Sequence, residues 1–173
     1  MEISLLTPKC TLVPAQFFES GSARESLAEV VDLDDKDEVR FVEVPQYDAV
    51  LVYADSEEGA YSKEIKEDVS GEGQGALPEM FYILRDLQKC KEYNKILATL
   101  RDGYLYLAIA QGNSLMLSNV YKAQDFTTAE YFLFLAMKSL QLNPEVSTVY
   151  WRMPVGPEDE LSLYRYFKAV DRV

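Results

Sequence analysis

The chain of 173 residues contains no histidine, one tryptophan, two cysteines and few basic side chains, 17 Lys and Arg against 29 Asp and Glu. Each shortage excludes something. Without histidine there is no Ser-His-Asp or Cys-His nucleophile and no histidine-ligated zinc or haem. Cys10 and Cys90 lie far apart in the chain and make neither a CxxC pair nor a disulfide framework. Both read as reduced, partly buried thiols, and a cytoplasmic location is expected. The N-terminus lacks the basic and apolar regions of a signal peptide, and no apolar run approaches the roughly 20 residues that span a bilayer.

The basic deficit is local. Residues 19–72 hold 17 acidic and 5 basic side chains, a balance of −12, which equals the net charge of the whole chain. The remainder is neutral. Such a chain repels phosphate backbones and has no basic stripe with interleaved aromatics, so nucleic-acid binding is not expected. The acidic stretch reads as a solvated face that keeps the protein soluble; the sharper alternative is a docking surface for a basic partner. With 48% apolar and 27% charged residues, the composition is that of a folded globular chain.

In the first half, Ile3–Leu6 and Thr11–Val13 read as short strands flanking Thr7-Pro8-Lys9. Ser22 and Glu25 have capping-box spacing for a short helix running to about Val31. Residues 32–38, Asp-Leu-Asp-Asp-Lys-Asp-Glu, resemble a calcium loop only superficially, because Lys36 breaks the alternation and no glycine follows. Val39–Val44 and Ala49–Ala54 read as strands around a Pro45–Asp48 turn. The second is continuously apolar, which predicts burial on both faces. Residues 55–68 read as an exposed helix. Gly71-Glu72-Gly73-Gln74-Gly75 reads as a linker: it precedes a helix as a phosphate loop does, but it is not GxGxxG and it lacks the Walker lysine.

A helix is predicted over Leu77–Lys91, with Pro78 in its first turn and Met80, Ile83, Leu84 and Leu87 on its inner face. Three apolar runs follow, Ile96–Leu100, Tyr104–Ala110 and Leu115–Tyr121, separated by turns at Arg101-Asp102-Gly103 and Gly112-Asn113. That is an antiparallel meander. Thr127 and Glu130 have the spacing of a second capping box, opening a helix with little polar face that is expected to be largely buried. Asn143-Pro144 ends it. Thr148–Met153 is a strand, and Gly156-Pro157 opens a last helix with Leu161, Tyr164 and Phe167 on one side. From residue 93 the order is β-β-β-α-β-α, an α/β arrangement with a mixed sheet covered by helices. This is the plan of the ribonuclease H-like fold. Tyr104, Tyr106, Tyr121, Tyr131, Tyr150, Tyr164 and Tyr166 fall in or near this half; they read as β-rich packing or as an aromatic contact patch.

Cys10-Thr11-Leu12-Val13-Pro14-Ala15-Gln16-Phe17-Phe18-Glu19 resembles a T-L-V-P-x-x-L-F-E-like segment of an uncharacterised bacterial domain-of-unknown-function family, DUF3822. Gly112–Tyr121 and the Tyr131-Phe132-Leu133-Phe134 helix resemble the same family, in the same order. The resemblance spans about residues 5–170 and implies an actin-like ATPase fold. On it, residues 1–91 are expected to be a partial first lobe and residues 92–173 a nearly whole ribonuclease H-like second lobe. Its fifth strand would be represented at most by Ala169–Val173. Family members are usually longer at the N-terminus, so an incomplete first lobe with an open strand edge is expected.

The same resemblance assigns a nucleotide between two lobes, each offering a tight turn with an Asp before a Gly and small polar residues after it. In the second lobe that turn is Asp102-Gly103, the one pair of candidate nucleotide-binding residues. Tyr104 and Leu105 stand where small hydroxylic residues belong, so the pair reads first as a hairpin turn and only second as a phosphate loop. The strands around Ile96–Leu100 and Trp151 carry no carboxylate for a two-metal nuclease. No catalytic residue, metal site or cofactor is assigned. The function expected is a non-catalytic interaction or assembly module, acting on a protein partner or on a second copy. The alternative is an ATP-binding protein whose cleft is completed by a partner or by a further N-terminal segment.

Overall fold

A computed structural model describes residues 3–55 and 76–173. The chain separates into two compact units, Met1–Tyr82 and Ile83–Val173. The expected helix over residues 55–68 and the glycine-rich linker at 71–75 lie outside the described residues.

The first unit is organised around β4 (Ala49–Asp55), the middle strand of an antiparallel sheet with β2 (Cys10–Pro14) on one side and β3 (Glu38–Val44) on the other. All seven residues of β4 are buried, as its unbroken apolar run predicts. Alternate side chains of a strand share a face. Val50, Val52 and Ala54 accordingly form one cluster with Ala23 and Leu27 of α1 (Ala23–Ala28). The turn between β3 and β4 closes through Asp48, held at φ 48°, a left-handed conformation that a short polar side chain tolerates. A two-residue strand, β1 (Ser4–Leu5), pairs in parallel with β5 (Leu77–Pro78).

Two local expectations fail here. Ser22 precedes α1, but its side chain makes no capping bond and α1 stops at Ala28, short of Val31. The spacing is necessary for a capping box but not sufficient: Ser22 has ψ 12°, not the extended backbone that aims the oxygen at the free amides. The helix expected from Leu77 begins only at Glu79, forming α2 (Glu79–Asp86). Leu77 and Pro78 are instead recruited by β1, and the turn Leu87–Lys89 tightens to a 3-10 helix.

The second unit is built on a five-stranded mixed sheet. β6 (Asn94–Arg101), β7 (Tyr104–Gln111) and β8 (Ser114–Lys122) form the antiparallel meander. α3 (Phe126–Ser139) follows, then β9 (Thr148–Trp151), α4 (Pro157–Tyr164) and β10 (Ala169–Arg172). In space the order is β10-β9-β6-β7-β8, with β9 parallel to β6 and β10 parallel to β9. The last strand is a full member of the sheet, paired with β9 from Ala169 to Arg172. Ile96, Ala98, Leu105, Leu107, Ile109, Val149 and Trp151 point to one face and pack under α3 and α4. The alternate residues Leu97, Tyr106, Ala108 and Tyr150 are buried on the other face. Burial on both faces is why these strands read as near-continuous apolar runs.

The helices correct three further expectations. α3 is capped by Asp125, whose carboxylate accepts the Thr128 amide at 2.7 Å, not by Thr127 and Glu130. α3 is buried on one side only, through Ala129, Leu133, Ala136 and Met137, and it leaves Tyr131 and Leu135 exposed. On α4 the buried residue is Leu163. Leu161 and Tyr164 are exposed, and Phe167 reaches the core from beyond the helix end.

Candidate functional site

Asp102 and Gly103 join β6 to β7. Both have positive φ, 49° and 79°, the pair of left-handed residues that a type I′ hairpin turn requires. The turn is crowded by the segment that follows β8. The Gly103 carbonyl accepts the Ala123 amide at 2.8 Å. The Gln124 side chain lies so close over Gly103 that an added Cβ would sit 3.0 Å from its amide nitrogen. The two residues that follow are consumed by the sheet: Tyr104 pairs with Lys122, and Leu105, fully buried, pairs with Tyr121. Asp102 itself is exposed. Among the described residues no three His, Cys, Asp or Glu side chains come together to hold a metal ion.

Because β6, β9 and β10 run parallel, their carboxyl ends gather at one edge of the sheet, where open α/β sheets place ligands. Arg101, Arg152 and Arg172 stand at or just past those ends. Two of them are already engaged. Arg101 Nε donates to Met153 Sδ at 3.3 Å. Arg152 Nε donates at 3.3 Å to the buried carboxylate of Asp86. Asp86 also accepts from Arg85 at 2.8 and 3.1 Å and lies 2.9 Å from Lys89 Nζ. Burial acts to raise the Asp86 carboxyl, but the hydrogen bonds from Arg85 and Lys89 outweigh it and hold it below the usual carboxylate range. Sequence reasoning missed this cluster, because Asp86 reads as the polar face of an amphipathic helix and Arg152 as the end of a strand.

The acidic loop after α1 brings its own cations. Asp37, almost fully buried, accepts Lys9 Nζ at 2.6 Å and the Asp34 amide at 2.8 Å. Arg24 donates to the carbonyls of Asp34 and Asp37, at 2.8 Å each. The Lys9 hydrogen bond lowers Asp37, and the same bond raises Lys9. An ammonium and a guanidinium therefore bind this loop from within the chain. Burial pushes both thiols, Cys10 and Cys90, up to about 12, so neither is a ready nucleophile at neutral pH.

The tyrosines divide into two groups. Tyr106 and Tyr150 are buried, whereas Tyr131, Tyr164 and Tyr166 are exposed at 61%, 49% and 49%. Tyr166, past the end of α4, packs edge-on against Phe134 of α3 at 5.0 Å, and Tyr131 against its neighbour Phe132 at 5.4 Å. Among the described residues no helix is long and apolar enough to cross a membrane.

Residues 2–170 match the family described as "Protein of unknown function (DUF3822)". The chain belongs to this family. No curated protein matches it. Among solved structures, this DUF3822 member is similar to a protein of Bacteroides thetaiotaomicron VPI-5482, described as having an actin-like ATPase fold and unknown function. The TM-score is 0.76 at 13% identity, covering 99% of this chain and 67% of that one. At that identity the likeness is one of fold: the chain has a mixed α/β architecture similar to an actin-like ATPase fold.

Proposed function

We propose that this DUF3822 member is a non-catalytic interaction or assembly module on a degenerate actin-like scaffold, working in the bacterial cytoplasm through a protein partner or a second copy of itself. Residues 92–173 are on this reading a ribonuclease H-like lobe, which the spatial order β10-β9-β6-β7-β8 supports. Residues 1–91 belong on the same reading to a first lobe.

The observation that carries the reading is the turn at Asp102 and Gly103. Phosphate binding by such a turn uses free backbone amides and small neighbours. Here Gln124 lies over the glycine, and a half-buried tyrosine and a buried leucine occupy the next two positions. The exposed Tyr131, Leu135, Tyr164 and Tyr166 add apolar surface of the kind enriched in interfaces. Light scattering on the full chain tests the reading, together with affinity capture from the native cell. Self-association or a retrieved partner that is lost in the Tyr131→Ser, Leu135→Ser double variant is the expected result; a strict monomer that retrieves nothing would sink it.

The second reading is a nucleotide-binding protein, favoured by the similar fold and by the gathering of strand carboxyl ends beside Asp102. It predicts that Mg-ATP raises the melting temperature, since a ligand at a hundredfold excess over its dissociation constant stabilises the native state by about 2.7 kcal/mol. No change at millimolar nucleotide is the outcome expected for the first reading.

A further inference from the structure

The two edges of the second unit's sheet are built differently. β10 has four residues, and its exposed Asp171 and Arg172 are charged. A short, charged edge resists pairing with another chain. β8 has nine residues, against about 5–6 in a common strand. Its one charged side chain is Lys122, at its last position, and it contains no proline. Among the described residues no strand pairs with its outer side.

The ladder to β7 is regular from Leu117 to Lys122, beyond a bulge at Met116. The Ala123 amide donates to the Gly103 carbonyl on the β7 side, so by alternation the amides of Ser118 and Val120 point outward. The Val120 amide accordingly bonds the side chain of its own neighbour, Asn119 Oδ1, at 2.9 Å. Tyr121 stacks on Phe132 of α3 at 4.8 Å, which places one flank of α3 above this edge. Helical spacing sets the exposed Leu135 on that flank, three residues after Phe132.

We propose, resting on the reading of this protein as an interaction module, that β8 pairs antiparallel with the β8 of a second copy and makes one sheet across a two-fold axis. Such a pair uses the same edge of both chains and closes. Adding β8 to a neighbour's β10 would instead leave an open array, and the charges of β10 oppose it. Self-pairing sets no like charges against each other: Lys122 meets Ser114 when the axis passes Ser118, and Ser118 when it passes Val120. A lone peptide strand would lie within the sheet, about 4.8 Å from β8, and would leave Leu135 in the helix layer uncovered. A second copy brings its own α3 into that layer, on the same face of the sheet.

Light scattering on the full chain at about 100 µM should give twice the monomer mass. Hydrogen exchange followed by mass spectrometry should slow in the β8 peptide as the concentration rises from about 1 to about 100 µM. Val120→Pro removes an outward donor without removing a bond to β7, and should weaken the dimer by about tenfold. Ser118→Lys sets like charges opposite each other with the axis at either position, and should weaken it by about threefold. A chain that stays monomeric at that concentration overturns the proposal; if that monomer still captures another protein, the interaction-module reading stands. A dimer that both variants leave unchanged, but that the Tyr131→Ser, Leu135→Ser double variant abolishes, overturns it too and puts the contact on α3 alone.

Discussion

The two units solve the same problem with different means. In the first, three antiparallel strands carry one short helix, and the apolar cluster on that helix is small: Ala23, Leu27 and alternate residues of β4. Charge does much of the fastening, through Lys9, Arg24 and the buried Asp37. In the second, five strands are covered by longer helices, and the principal cluster holds fourteen buried residues, including Trp151 and Phe167. A buried carboxylate cluster, around Asp86, ties a helix end to the residue after β9 and is an accessory to the core. The contrast teaches that the acidic half of the sequence is not merely a solvated face: Asp37 is buried there and paired with Lys9.

The largest expected effect sharpens that contrast. Leu107→Ala removes a fully buried side chain from the larger core and should cost about 3–5 kcal/mol. Leu27→Ala, equally buried but at the edge of a small cluster that can collapse around it, should cost about 2–3 kcal/mol. Denaturant melts of both variants check this, and equal losses would break the comparison.

Next come the two buried carboxylates. Asp86→Ala leaves Arg152 and its neighbours without their shared acceptor, and should cost about 2–4 kcal/mol. Asp37→Ala should cost about 1–3 kcal/mol, by freeing the Asp34 amide and Lys9. Both carboxyls titrate below their ordinary value in the folded protein. Their contribution to stability is therefore complete above the unfolded carboxylate pKa of about 3.9, and is lost as pH falls through the lower folded value. Acid titration of the wild type against Asp37→Ala should show the wild type losing its advantage as pH falls below about 3.9. An advantage that grew toward low pH would reverse the sign and refute the assignment.

Gly103→Ala places a side chain at φ 79° and against Gln124, and should cost about 1–2 kcal/mol, read from the melting temperature. The smallest pair compares the two helix starts. Asp125→Ala should lower the melting temperature, whereas Ser22→Ala should leave it close to unchanged, because only the first side chain holds a helix amide.

Much of the fold was legible. Where apolar residues run unbroken between turn residues, as in β4, β6 and β7, pattern and structure coincide, since burial of both faces leaves no room for another periodicity. Helix starts were not legible. Ser22, Thr127 and Pro78 each carry the right chemistry, yet capping depends on the φ and ψ that the preceding chain imposes. Of the candidate site, the Asp102-Gly103 turn was visible by its letters. Its closure by Gln124 was not, because that contact joins the β6–β7 turn to the segment that follows β8. Nor was the cleft of about 240 Å³ beside Trp151, whose lining comes from β9, the loop after it, α4 and β10.

The sequence by itself determined what is local or additive: the absence of histidine chemistry, the place of the acidic stretch, the strands buried on both sides and the tight turns between them. Only the tertiary structure decided which charges are buried, which tyrosines face solvent, and which donor is left without an acceptor. The reason is physical. A residue's propensity follows from its own covalent geometry and near neighbours, whereas desolvation and hydrogen-bond satisfaction depend on atoms that folding brings from distant parts of the chain.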